Sequence, residues 1–114
     1  MSTRENVQAV IDGILAGKIL ETFDRYYGDD VVMSENGTNE RAGKAVNRTY
    51  EEQFVNNVTF HAASVGNILV DGDKAAIEWV LDFTPKGDSR MVQRQVSLQT
   101  WRDGKVVREV FYHP

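Results

Sequence analysis

Acid–base chemistry without a cofactor needs a carboxylate or an imidazole held beside apolar surface, and few residues of this chain qualify. Glu109 stands in Val106-Val107-Arg108-Glu109-Val110-Phe111-Tyr112, where strand formers surround a residue type that strands disfavour. With Arg94 and His113 on its face, it would offer an acid, a cation and a titratable imidazole amid apolar neighbours, which is how small-ligand pockets are built. The plainer reading is that Arg94 neutralises Glu109 across the sheet and that His113 frays near the chain end. Glu35 precedes Asn36-Gly37. Partial burial turns such a carboxylate into a general base, whereas a solvated one simply pairs with Arg41. His61 follows Phe60 and is either a third acid–base candidate or a surface residue. No second His lies at metal-ligand spacing, so no metal is expected.

The elements that must position these groups divide the chain into a helical first half and a strand-rich second half. Ser2-Thr3-Arg4-Glu5 has capping-box spacing, and Val7, Ile11, Ile14 and Leu15 follow at helical intervals up to Gly17. Ile19, Leu20, Phe23 and Tyr27 mark a second, short helix. Gly28-Asp29-Asp30 reads as a turn, Val31-Val32-Met33 as a short buried strand, and Glu35 to Asn39 as a loop. A third helix runs from about Ala42 to Phe54, with Ala42, Val46, Tyr50 and Phe54 in one row. Strands follow over Val58 to Val70, Lys74 to Thr84, Met91 to Trp101 and Val106 to Tyr112. Turns at Asp71-Gly72-Asp73, Pro85-Lys86-Gly87-Asp88 and Asp103-Gly104 separate them. Trp79, Leu81 and Phe83 alternate onto one face.

The Asp103-Gly104 hairpin predicts a register. With those two as loop residues, Leu98 faces Glu109, Val96 faces Phe111 and Arg94 faces His113. One face then carries Arg94, Val96, Leu98, Glu109, Phe111 and His113. The other carries Gln95, Gln99, Trp101, Arg108 and Tyr112, a polar–aromatic strip suited to a homodimer interface or to an exposed sheet face.

Composition narrows the class. The 114 residues make one domain, residues 1–114, with 41% hydrophobic and 26% charged residues. A net charge of −4 argues against nucleic-acid and anionic-membrane partners. Zero Cys excludes disulfides and thiol catalysis. The first eighteen residues read as neither a signal peptide nor a membrane span, and a cytoplasmic location is expected. No Walker loop or dinucleotide fingerprint is present.

The stretch Tyr27-Gly28-Asp29-Asp30-Val31-Val32-Met33, then Gly43 opening a helix, resembles the SnoaL-like group of the nuclear transport factor 2-like superfamily. So does the closing run Trp101-Arg102-Asp103-Gly104-Lys105-Val106-Val107 with Phe111-Tyr112. The resemblance implies an α+β cone, with three N-terminal helices packed on a bent antiparallel sheet around a pocket, and frequent dimerisation through the sheet. Members include ketosteroid isomerases, polyketide cyclases, limonene epoxide hydrolases, scytalone dehydratases and non-catalytic binding modules, so fold does not give function. In ketosteroid isomerase a general-base Asp follows the Asp-Asp of this segment by a few residues, and Glu35 falls at that place. The isomerase oxyanion-hole Tyr and Asp fall near Ile11 and Val96, both apolar here. The hydrolase Arg-x-Asp falls in Glu78-Trp79-Val80-Leu81 and is not reproduced.

The resemblance thus implies a small apolar molecule held in the cone. Glu35, His61 and Glu109 are the acid–base candidates. Tyr27, Trp79, Leu81, Phe83, Arg94, Val96, Leu98, Phe111 and His113 are expected to line the pocket. Two functions are open: a cofactor-independent isomerase, cyclase or dehydratase acting on a carbonyl compound, with Glu35 as base, or a non-catalytic ligand-binding or assembly module.

Overall fold

A computed structural model describes all residues, Met1–Pro114. Helix α1 (Thr3–Leu15) opens on the capping box: Ser2 Oγ accepts from the Glu5 N–H at 3.1 Å, and Glu5 Oε1 accepts from the Ser2 N–H at 3.0 Å. It closes where Gly17 takes φ +79°, with Gly17 N–H donating to the Ile14 carbonyl and Lys18 N–H to that of Gly13. Helix α2 (Ile19–Tyr26) folds back across it. The two helices meet at Gly13, where an added Cβ would sit 2.1 Å from Thr22 Oγ1. Alanine is the better helix former by about 1 kcal/mol. Gly13→Ala is nonetheless expected to destabilise the protein by about 1–3 kcal/mol, through overpacking. Urea unfolding checks this.

Strand β1 (Tyr27–Glu35) runs into β2 (Thr38–Ala42) through a tight Asn36-Gly37 turn with φ of 52° and 74°. The loop expected at Glu35 to Asn39 is therefore a hairpin. The turn expected at Gly28-Asp29-Asp30 lies inside β1, where the ladder to the last strand shifts between Tyr27 and Val32 and leaves the two Asp exposed. Helix α3 (Lys44–Asn57) starts two residues later than expected and is rotated. Asn47, fully buried, and Phe54 face inward, whereas Val46 is half-exposed. Strands β3 (Val58–Asp71), β4 (Lys74–Pro85), β5 (Met91–Arg102) and β6 (Lys105–Tyr112) complete one sheet in the order β2-β1-β6-β5-β4-β3. Every pairing is antiparallel except β1 with β6, which is parallel, so the sheet is mixed rather than purely antiparallel.

The result is an α+β cone, three helices packed on a bent six-stranded sheet. Its core joins Val7, Val10 and Ile11 of α1 to Ile77, Trp79, Leu81 and Phe83 of β4, with Trp101 and Val106 at the last hairpin. The alternation read in β4 is the observed one. The register of β5 on β6 is not. Arg102 faces Lys105, but Trp101 faces Val106 and Thr100 faces Arg108, so Val107 is an extra residue. Beyond this bulge Gln99 faces Glu109 and Ser97 faces Phe111. A one-residue slip exchanges the two faces of a strand. Arg94, Val96 and Leu98 therefore point away from the helices, and Gln95, Gln99 and Trp101 point toward them.

Candidate functional site

A cavity of about 480 Å³ opens between the helices and the concave sheet face. One side is apolar. Phe54 of α3, Phe60 of β3 and Phe83 of β4 stack edge-on or tilted with centroids 5.4–6.0 Å apart, beside Trp79 and Leu81. The other side is polar and acidic, with Glu35 and Arg41 at the β1–β2 hairpin, Glu51 on α3, and Glu109, Phe111 and His113 along and beyond β6.

Glu109 is the innermost charge, 2% exposed. Its Oε1 accepts from the Tyr27 hydroxyl, and its Oε2 accepts from Gln99 Nε2 at 2.7 Å. Gln99 Oε1 in turn accepts from the Trp101 indole N–H at 2.9 Å. Burial raises the Glu109 carboxyl to about 7, although the hydrogen bonds from Tyr27 and Gln99 pull the other way; the charge of Glu35 adds to the rise. Glu51 is also raised to about 7, first by burial and then by the charge of Glu109, with Arg41 opposing. Tyr27 is pushed well above the ordinary phenol range by burial, by the charge of Glu109 and by its hydrogen bond to that carboxylate.

These shifts set a pH dependence. The folded carboxyl of Glu109 titrates near 7 and the unfolded one near 4.5. Between those values the native state holds more protons than the unfolded chain, so stability falls as pH rises. The stability is complete below the unfolded value and lost through the folded one. Unfolding in urea is expected to cost about 2.5 kcal/mol less at pH 8 than at pH 5 through Glu109 alone. The same comparison in Glu109→Gln is expected to lose most of that slope. Carboxylates held low by salt bridges, such as Asp24 and Asp82, act at more acid pH.

The structure places the candidates unevenly. Glu35 sits at the rim, its Oε2 3.0 Å from His113 Nε2 and its Oε1 3.9 Å from Arg41 Nη2. His113 is anchored rather than frayed, since its backbone N–H donates to Asn36 Oδ1 at 3.0 Å. Tyr27, Trp79, Leu81, Phe83, Glu109 and Phe111 line the cavity with them. Arg94, Val96 and Leu98 do not, because the Val107 bulge turns them outward. His61 is exposed on the far face and bonds Thr84 Oγ1 at 2.8 Å. The ladder there steps from Phe60–Phe83 to Ala62–Asp82, so His61 is itself a bulge residue turned away from the cone. Of the five residues expected at a dimer interface, Gln95 lines the cavity, and Gln99 and Trp101 are buried behind it. Arg108, paired with Glu40, and Tyr112 remain on the outer face.

Sequence reasoning missed Glu51, Asn47 and the inward role of Arg41. Arg41 lies over the Tyr50 ring, 4.4 Å from its centroid, and its Nε donates to Asn47 Oδ1 at 3.2 Å. Asn47 Nδ2 is within hydrogen-bond distance of the carbonyls of Arg41 (3.0 Å), Gly43 (2.9 Å) and Val31 (3.4 Å). It thereby ties α3 to both strands of the first hairpin. Asn47 and Glu51 are four apart, so a helical row was present to be read, but both are polar and apolar spacing does not reveal them.

The SnoaL-like domain family matches residues 7–109. No curated protein matches the sequence. Among solved structures, a Mesorhizobium loti protein labelled a SnoaL-like polyketide cyclase [carbohydrate phosphatase] is similar at 27% identity and TM-score 0.89, covering 98% of this chain and 99% of that one. An LEH-like epoxide hydrolase from M. tuberculosis is similar at 20% identity and TM-score 0.80, over 98% and 82%. An NTF2-like protein of unknown function from Burkholderia pseudomallei reaches TM-score 0.85 at 10% identity, over 100% and 92%. The last two speak to the fold alone.

Proposed function

The chain belongs to the SnoaL-like family, and on that premise we propose a cofactor-independent acid–base enzyme for a small, largely apolar carbonyl compound. Isomerase, cyclase and dehydratase chemistry all fit, with Glu109 rather than Glu35 moving the proton. The observation that carries this reading is a buried carboxyl poised at about 7 on the wall of an aromatic-lined cavity. A group that titrates near the working pH serves both as base and as acid. Glu51 shares the cavity and also titrates near 7, so the two carboxyls disfavour simultaneous charge. Protonated, Glu51 would donate to the oxygen of a developing enolate while charged Glu109 takes the α-proton, and such donation is a large catalytic term. Glu35, tied at the rim to His113 and Arg41, would hold the mouth of the site.

A binding role without turnover is the second reading. It is favoured by the internal hydrogen bonds that already occupy both oxygens of Glu109. Exchange of the α-hydrogens of 2-tetralone in D2O, followed by NMR, separates the two. Catalysed exchange supports the enzyme; saturable binding with exchange at the buffer rate supports the binder.

The outer sheet face supports self-association. Val92, Leu98 and Tyr112 are exposed there among charges of both signs, which a two-fold-related copy can complement. Sedimentation equilibrium at micromolar concentration is expected to give a dimer, and Leu98→Glu a monomer.

A further inference from the structure

The Trp101 indole can only donate a hydrogen bond. Because its N–H meets Gln99 Oε1, the orientation of the Gln99 amide is fixed and its Nε2 must present an N–H to Glu109 Oε2. A proton on Oε2 would confront that N–H donor to donor. Oε1, facing the Tyr27 hydroxyl, has no such conflict, since a hydroxyl both donates and accepts. Trp101 and Gln99 are 3% and 1% exposed, so bulk water does not compete for these links.

We propose that Trp101 and Gln99 are positioning residues that give this hydrogen-bond chain one direction, so that Glu109 carries its proton on Oε1 and exchanges it with a bound molecule through the Tyr27 hydroxyl. The inference rests on the reading of Glu109 as the acid–base group. With Glu109 charged, Tyr27 donates to Oε1. With Glu109 neutral, Oε1–H donates to Tyr27 Oη and the Tyr27 hydrogen turns into the cavity, where it meets a carbonyl oxygen. In the transfer the Oε1–H bond breaks, a new Oη–H bond forms, and the former Tyr27 proton passes to the ligand oxygen. Glu109 ends as a carboxylate, Tyr27 stays neutral, and the ligand gains one proton. The raised pKa of Tyr27 keeps a phenolate from accumulating during this relay. The titratable and charged groups that face Glu109 are Tyr27 and Glu35 from β1, Arg41 from β2, Glu51 from α3 and His113 beyond β6. The hydrogen bond to Oε2 comes from Gln99.

The test is a 13C NMR titration of the full chain, following Glu109 Cδ and Tyr27 Cζ. In the wild type the Tyr27 signal is expected to follow the Glu109 midpoint near neutral pH, and the Trp101 indole N–H to show scalar coupling to Gln99 Cδ. Gln99→Met removes a hydrogen bond to the charged carboxylate and is expected to move the Glu109 midpoint up by about one pH unit. Trp101→Phe frees the amide to turn and is expected to move the midpoint the same way by less. A near-neutral midpoint that neither variant moves, with Tyr27 not following it, overturns the relay while leaving the acid–base reading intact. A wild-type midpoint near 4.5 overturns both. Where a variant fails to fold, the wild-type coupling decides, and its absence overturns the proposal.

Discussion

Glu109→Gln is expected to slow α-deuterium exchange of a bound ketone by about 10²–10⁴-fold, the usual contribution of a positioned acid–base group. Folding and binding are expected to survive. The new amide can turn its oxygen to the Gln99 N–H and its NH2 to the Tyr27 oxygen, reproducing the hydrogen bonds of the neutral acid. What is lost is only the proton that Glu109 gives and takes. Glu35→Gln is the matched control. Glu35 is half-exposed at the rim and makes no hydrogen bond to the Tyr27–Glu109–Gln99–Trp101 chain; only its charge reaches Glu109, as the smallest contribution to the rise of that carboxyl, so exchange should change by no more than a few-fold. The reverse ranking, with Glu35→Gln inactive and Glu109→Gln unaffected, would return the base to the position implied by family resemblance. Rates are to be measured at saturating ketone across pH 5–8, so that a change in affinity is not read as a change in chemistry.

The second large effect concerns stability. Asn47→Ala is expected to cost about 3–5 kcal/mol and to lower Tm by roughly 10–20 °C. Asn47 is fully buried, and its truncation strips the carbonyls of Arg41 and Gly43 of a donor and Arg41 Nε of its acceptor. Buried polar groups left unpaired cost more than the hydrogen bonds they made. The loss also frees the Arg41 guanidinium from its seat over Tyr50. Differential scanning calorimetry reads the first consequence. A drop of less than about 1 kcal/mol would mean that water replaces the side chain.

The fold was largely legible in sequence because its signals are local. A hydroxyl three residues before Glu5, Asp-Gly at two hairpins and alternation along β4 each act over a few residues, and the capping box and the β4 pattern are observed as read. The site was less legible because single residues control it. Val107 is indistinguishable in sequence from any other strand valine, yet its bulge decides whether Leu98 or Gln99 stands beside Glu109. His61 is displaced by the same kind of event. Glu109 was visible as an acid out of place in a strand, and the cavity explains its presence. Glu51 was not, because an acid in a helix is ordinary until its neighbours are known.

The parallel pairing of β1 with β6 also governs how the site comes into being. Tyr27 and Glu109 are 82 positions apart, and they meet only after the strand that carries Glu109 has been made and has docked beside β1. Such a non-local closure is slow relative to helix and hairpin formation. During biosynthesis the β1–β2 hairpin therefore waits with one edge unpaired. The proton-bearing pair exists only once β6 has docked beside β1, so ligand binding reports on chains in which that docking is complete.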